Sequence, residues 1–587
     1  MKRIIVGLLA ALGALTLAMI VLVFAAAAAA RLTRAGVPQR TILEANLETA
    51  LMEYVPEDPV AKALFGERPS LRDVVDALER AGGDQRVVGV LARLGAAPLG
   101  MGQVQELREA VQRFRQRRKF AVAFAETFGE FGPGGNGYYL ASAFDEIWMQ
   151  PSGDIGLTGV LAESFFLRGT LDKLGITPRM DHRYEYKNAM NIFTEKKFTP
   201  AHREATARVV QSWAAQQVRG IAEGRKLSQE QVRALVNRGP LLGREALEGK
   251  LVDGLAYWQE VYDKAKQRGG RDAKMLSLGK YLQRAGRPHG KGKTIALIYG
   301  VGGVQRGKSG FDPVFGEVAM GSDTVAGAFR AAVRDKDVKA ILFRIDSPGG
   351  SYVASDTIWQ ETVRARKAGK PVIASMGDLA GSGGYFVAMA ADKIVAQPGT
   401  ITGSIGVLGG KMLTTGFWQK LGISWDEVHE GTNATFWSGT SDYTPAQWAR
   451  FQAWLDRVYE DFTSKVAEGR RLPKQRVLEI AKGRIWTGED AKGLGLVDEL
   501  GGFETALKLA KQAAGIPEKE EVRLKLFPPR KSPFELVIEK LTGKEPESEQ
   551  PEASVQALIR VLERLQPLAR RIRSLTGARD VLSMPLP

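Results

Sequence analysis

The chain repeats itself, and this limits its architecture more than any other feature. Gly137-Tyr-Tyr-Leu-Ala-Ser-Ala-Phe-Asp145-Glu-Ile-Trp-Met-Gln-Pro151 matches Gly384-Tyr-Phe-Val-Ala-Met-Ala-Ala-Asp392-Lys-Ile-Val-Ala-Gln-Pro398 at a shift of 247 residues without a gap. The register continues through Gly156 and Gly403, Gly159 and Gly406, Gly169 and Gly416, Leu174-Gly175-Ile176 and Leu421-Gly422-Ile423, and His182 and His429. Upstream, 87–93 parallels 338–344; downstream, 243–253 parallels 488–498. Self-similarity held this long identifies two copies of one domain, and 587 residues exceed what one core usually organises.

Inside each copy, short β-branched runs such as Ala340 to Ile345 and Pro371 to Ser375 alternate with helical patterns such as Tyr352 to Lys367. The alternation predicts an α/β domain with a largely parallel sheet. The organisation expected is a membrane anchor over 1–34, a first α/β repeat over 40–265, a Gly-, Lys- and Arg-rich linker over 266–293, a second repeat over 294–515 and a C-terminal extension over 516–587. In that extension 546–553 reads as disordered and 555–565 as a modest amphipathic helix.

From Ile4 to Ala30 the chain is uncharged and mostly apolar, longer than the roughly 20 residues a helix needs to cross a bilayer. A cleaved signal peptide competes, because Ala25 to Ala30 resembles a small-residue cleavage site; the run exceeds the roughly 7–15-residue core of such peptides, which favours a retained anchor contacting lipid through 4–30. Lys2 and Arg3 on one side are matched by Arg31 and Arg34 on the other, so charge does not orient it. The net charge of +16 comes without a zinc-finger spacing or an aromatic-interleaved basic run, and reads as solvated surface with no nucleic-acid partner. The absence of cysteine excludes a thiol nucleophile and thiolate metal sites. With histidine only at 182, 202, 289 and 429, neither a metal site nor a cofactor is expected.

In the second copy, the strand-like Pro371 to Ser375 leads through Gly381-Ser382-Gly383-Gly384 into a helical stretch from Tyr385 to Ala391. A serine at a strand-to-helix turn suits a nucleophile, because a helix N-terminus favours developing negative charge and glycines let amides approach a carbonyl. A glycine-rich turn with a capping serine reads the same way, and Ala380 breaks the hydrolase G-x-S-x-G pattern. The neighbouring strand-like run ends in Ser347-Pro348-Gly349-Gly350, whose glycines would aim amides at the same oxygen as Gly383. For a base, His182 and His429 occupy equivalent positions in both copies and read as shared structure, whereas a lysine serves if burial keeps it neutral.

Tyr186-Lys187-Asn188-Ala189 in the first half, then Ser347 to Gly350, Gly381 to Tyr385 and Thr402-Gly403-Ser404-Ile405-Gly406 in the second, occur in this order along the chain. Together they resemble the signal peptide peptidase A family in its long, tandem-domain bacterial form (protease IV), over roughly 40–515 and the anchor. The resemblance implies a crotonase-like, Clp-protease-like fold in each repeat, Ser382 as nucleophile, Lys187 as general base and Ser404 as the hydroxyl orienting the lysine. It implies a serine endopeptidase cleaving hydrophobic signal-peptide remnants, a homo-oligomer, commonly a tetramer, and a single-pass protein of the bacterial inner membrane with its catalytic part periplasmic. The repeat supports the division of labour: shifted by 247, Ser382 falls on Gly135, Ser404 on Leu157 and Lys187 on Ala434. Competing readings are a noncatalytic membrane scaffold and an acyl-CoA enzyme of the crotonase type.

Overall fold

The computed structural model describes residues 36–54, 69–96, 98–312 and 317–528. The expected anchor over 1–34 and the extension beyond 528 lie outside the described residues; among those described, no helix is long and apolar enough to cross a membrane.

Both halves are built on a parallel sheet with one strand order. In the first, the strands run Gly254–Leu255, Glu146–Met149, Phe120–Ala125, Val87–Leu94, Thr41–Asn46 and Lys274–Ser277. In the second, the order recurs as Glu499–Leu500, Lys393–Ala396, Val372–Gly381, Val338–Ser347, Lys293–Val301 and Val522–Phe527. Each of these neighbours pairs in parallel. Strands such as Val338–Ser347 are buried along nearly their whole length because helices cover both faces, which is why they read as continuous apolar runs instead of alternating ones. Each half also carries a 26-residue helix, Pro200–Arg225 or Pro445–Arg470. Thr199 or Thr444 caps the start with proline at the first turn, and Lys226 or Arg471 ends it in the left-handed conformation.

Within the stretch 266–293, expected to be a linker, residues up to Ala285 pack as part of the first domain, while Gly290 already bridges to Arg523 and Lys293 opens a strand of the second. Helix Trp258–Gly269 runs into the stretch, Lys274–Ser277 adds an edge strand beside Thr41–Asn46, and Leu278–Ala285 buries Leu278, Tyr281 and Leu282. The strand is four residues long with only Leu276 buried, too short for alternation to show. Its counterpart Val522–Phe527 likewise carries the second domain past 515.

The halves interlock through polar groups as well as apolar ones. Fully buried Arg344 pairs with Glu53 at 2.5 Å and Glu106 at 2.9 Å, both from the first half. Asp378 accepts from the Gln103 amide at 2.9 Å, at the N-terminal turn of helix Met101–Gln116. A further connection is a shared sheet: strand Thr177–Arg183 of the first half pairs antiparallel with Val407–Leu413 of the second, Arg183 opposite Val407 and Thr177 opposite Leu413.

Candidate active site

Strands Val338–Ser347 and Val372–Gly381 are neighbours, and the loops at their carboxyl ends meet, where open α/β sheets present their ligand sites. Strand Val372–Gly381 ends at Ser382, whose φ of 53° and ψ of −119° lie outside the ordinary L-residue regions, and helix Gly383–Ala388 follows directly. The Ser382 amide donates to the Gly403 carbonyl at 2.9 Å and its carbonyl accepts from Phe386 at 2.9 Å, so both sides of the strained residue are tied down.

Glycine is required where the two loops touch. A Cβ on Gly349, at φ of 105°, would lie 2.6 Å from the Gly383 nitrogen and 2.7 Å from the Ser382 Cβ. The Gly349 amide donates to Ser347 Oγ at 3.2 Å, while its carbonyl accepts from Val304 at 2.8 Å. Gly383 stands at the first helical position, among the N–H groups a helix leaves without an internal partner, and a Cβ there would lie 3.1 Å from the Gly350 nitrogen. Of the three glycines expected to face a carbonyl oxygen, Gly349 already donates its amide to Ser347 Oγ, and the Gly350 nitrogen lies beside Gly383.

Lys187 arrives from the other half. Leaving the interdomain strand pair at Arg183, the chain turns over the second half and brings Lys187 Nζ to 3.0 Å from Ser382 Oγ. The same nitrogen donates to the Ser404 carbonyl at 2.8 Å and lies 2.9 Å from Ser404 Oγ. Lys187 is 5% exposed, and burial alone pushes its pKa down to about 7. A neutral amine has two N–H groups and one lone pair. Two donated bonds to Ser404 leave the lone pair for the Ser382 hydroxyl, so the three neighbours match the three capacities of the uncharged form.

No histidine takes this place. His182 lies opposite Leu408 in the interdomain strand pair, and His202 packs against Phe198 and Phe166 with burial pushing it down to about 4. His289 lies 3.7 Å from Glu504, and exposed His429 lies 3.7 Å from Glu427. Sequence reasoning missed the turn Lys482-Gly483-Arg484 that packs on Lys187, and the half-buried carboxyls Asp346 and Asp378 behind the loops. Burial pushes Asp378 up to about 6 and Asp346 well above the usual carboxylate range. The turn left no signal beyond one glycine between charged residues.

A family model described as Peptidase family S49 matches residues 114–271 and 364–517, one segment in each half. "Protease 4" of Salmonella typhi is 31% identical over 502 residues, covering 82% of this chain and 79% of that protein. "Serine protease SPPA, chloroplastic" of Arabidopsis thaliana is 30% identical over 472 residues, 79% of this chain and 68% of that one. A shorter relative, "Putative signal peptide peptidase SppA" of Enterococcus faecium, is 33% identical over 199 residues, covering 32% of this chain and 56% of its own.

Proposed function

Because this chain belongs to peptidase family S49 as a serine protease, we propose that it cleaves peptide bonds with Ser382 as nucleophile and Lys187 as general base. The observation that carries this reading is the 3.0 Å contact between a buried, desolvated amine and the hydroxyl of a strained serine. Lys187 takes the Ser382 proton as Oγ bonds to the substrate carbonyl carbon, and the resulting oxyanion accepts from the Gly350 and Gly383 amides. The lysinium then protonates the departing amine as the C–N bond breaks, leaving an acyl-enzyme. Water attacks the ester, Lys187 accepts its proton, and that proton returns to Ser382 as the acid leaves. Ser404 holds the amine through its carbonyl and hydroxyl, so the lone pair stays on Ser382. Full-length protein carrying Ser382→Ala or Lys187→Ala is expected to be inert toward peptides; near-wild-type cleavage by either would remove the assignment.

The substrates proposed are hydrophobic signal-peptide remnants, a reading supported by the name of the Enterococcus relative, with the protein held in the bacterial inner membrane by 4–30 and its catalytic part periplasmic. Each half is read as a crotonase-like, Clp-protease-like domain, in keeping with its parallel sheet and the glycine loops at the strand ends.

A homo-oligomer is supported by the interdomain strand pair itself. Shifted by 247 residues, its two members correspond to 424–430 and 160–166, which have no partner strand among the described residues. These segments expose Leu161, Phe165, Trp425 and Val428. Pairing 160–166 of one copy with 424–430 of the next would set Phe165 opposite Trp425 and Ala162 opposite Val428, in the register already used within the chain. With no native cysteine, Ala162→Cys combined with Val428→Cys is expected to give disulfide-linked multimers on mild oxidation. A monomer by light scattering that fails to cross-link would overturn this assembly.

A further inference from the structure

The arm that carries Lys187 is gripped by one turn of the opposite half. Lys482 and Gly483 both adopt positive φ, 55° and 80°, a pair of left-handed residues that non-glycine chains avoid. On one side of this turn the Lys482 carbonyl accepts from the Tyr186 amide at 3.2 Å. On the other, the Gly483 amide donates to the Ile405 carbonyl at 2.7 Å and the Arg484 carbonyl accepts from the Ser404 amide at 2.8 Å. Three consecutive residues therefore hold the backbone of the Lys187 arm and the backbone of Ser404 at a fixed separation.

Gly483 has no room for a side chain. A Cβ there would lie 2.5 Å from Lys187 Cβ and 2.6 Å from its Cα and nitrogen. Those atoms are backbone or adjoin it, so they yield only if the whole arm lifts. Arg484 closes the arrangement from outside. Its guanidinium donates to Glu204 at 2.7 Å and stacks over Tyr186 at 4.7 Å and Trp486 at 4.4 Å, while Tyr186 Oη donates to Glu204 at 2.9 Å. Lys482 adds a bond to Glu185 at 3.1 Å, and its amide donates to Tyr459 Oη at 3.2 Å, whose ring packs on Tyr184. Each residue from Tyr184 to Lys187 thus meets this turn or a residue bonded to it.

We propose that the turn Lys482-Gly483-Arg484 is the positioning element of the Ser–Lys pair: Gly483 sets how closely the lysine arm lies against Ser404, and Arg484 latches the arm down. The inference rests on the dyad reading and adds a structural role that neither half supplies by itself. Lifting the arm by about 1 Å separates amine from hydroxyl, a displacement that costs on the order of 100-fold in rate. It also admits water to the Lys187 amine. The charged groups around the arm, Glu185, Glu204, Lys482 and Arg484, are all partly exposed at its rim, so burial is what the turn controls.

The test compares full-length Gly483→Ala, Arg484→Ala and Arg484→Lys with Gly369→Ala. Gly369 shares the left-handed backbone at φ of 75° but has open space for a Cβ, so it reports backbone strain alone. Gly483→Ala is expected to lower kcat about 100-fold with KM within about threefold. The ascending limb of its pH–rate profile is expected to move up by about a unit or more as the amine becomes wet. Arg484→Ala should change kcat and profile in the same direction by less, Arg484→Lys should recover part of the loss, and Gly369→Ala should keep the wild-type profile. If Gly483→Ala and Arg484→Ala keep the wild-type kcat and profile while Lys187→Ala is dead, the positioning role fails and the dyad stands. If Lys187→Ala is active, the dyad itself fails. Thermal midpoints of Gly483→Ala and Gly369→Ala separate mispositioning from unfolding: activity lost only in step with a collapsed midpoint overturns the proposal.

Discussion

The two halves share a sheet and differ at its carboxyl edge. In the second, strand Val372–Gly381 is 10 residues long and its last three pair with Ile401–Gly403, which pairs in turn with Ile485–Thr487. In the first, Phe120–Ala125 stops at 6 residues and the equivalent antiparallel pair, Asp154–Ile155 with Leu241–Leu242, reaches back only through an isolated bridge from Ile155 to Phe128. Where Ser382 stands in one, Gly135 stands in the other. The next residue, Asn136, donates to the Leu99 carbonyl at 2.9 Å and accepts from Gln217 at 2.8 Å. That corner is filled with satisfied amide groups. Ala434, at the lysine's equivalent position, is exposed in a loop, while Lys187 is buried. Duplication preserved the scaffold in both copies and, on the proposed mechanism, left each with a different part of the chemistry.

The strongest way to break this comparison is to remove either half's contribution. Ser382→Ala and Lys187→Ala are each expected to lower kcat by at least about 10³-fold, measured on a peptide substrate. Next comes pH. The base acts only when neutral and burial pushes Lys187 down to about 7, so kcat/KM should rise about tenfold per pH unit below 7 and level off above it. A flat profile from pH 5 to 8 would contradict the buried amine.

A smaller effect concerns stability. An unfolded lysine titrates at its ordinary value near 10.5 and the folded one at about 7, so between these the unfolded chain binds more protons and stability rises with pH. Below pH 7 the burial penalty is present in full. Lys187→Met is therefore expected to be inactive yet more stable, with a midpoint at pH 6 raised by on the order of 2–4 °C and a gain that fades toward pH 10, by calorimetry. The smallest expected effect is none: Gly135→Ser, added to Ser382→Ala, should restore no cleavage, because a side chain there meets the Gln217 amide, which is no base. Recovery of activity would mean that the first half keeps a working site.

Much of this was legible before any coordinates. The duplication, the α/β class and the strand-end glycines follow from period and composition; the family resemblance names Ser382 and Lys187, and the complementary gaps at Gly135 and Ala434 agree with it. Other features left no such trace. Lys274–Ser277 is too short to show a period, and its identity as a strand comes from pairing with Thr41–Asn46, over 200 residues away in the chain. The Arg344 cluster reads as an ordinary charge within a strand until Glu53 and Glu106 arrive from the other half. Gly483 has meaning only through the space it leaves for Lys187. Contacts between distant segments are set by the fold, and no local pattern in the sequence encodes them.

The placement of the lysine arm also concerns time. The residues of the dyad are separated by 195 positions, and the turn that seats Lys187 follows Ser382 by a further hundred or so. A chain growing from its N-terminus carries the amine long before it has a hydroxyl to activate, and the hydroxyl before the turn that fixes their distance. On the proposed Ser–Lys mechanism, the unfinished molecule holds only separated reagents until the second domain has closed on the first.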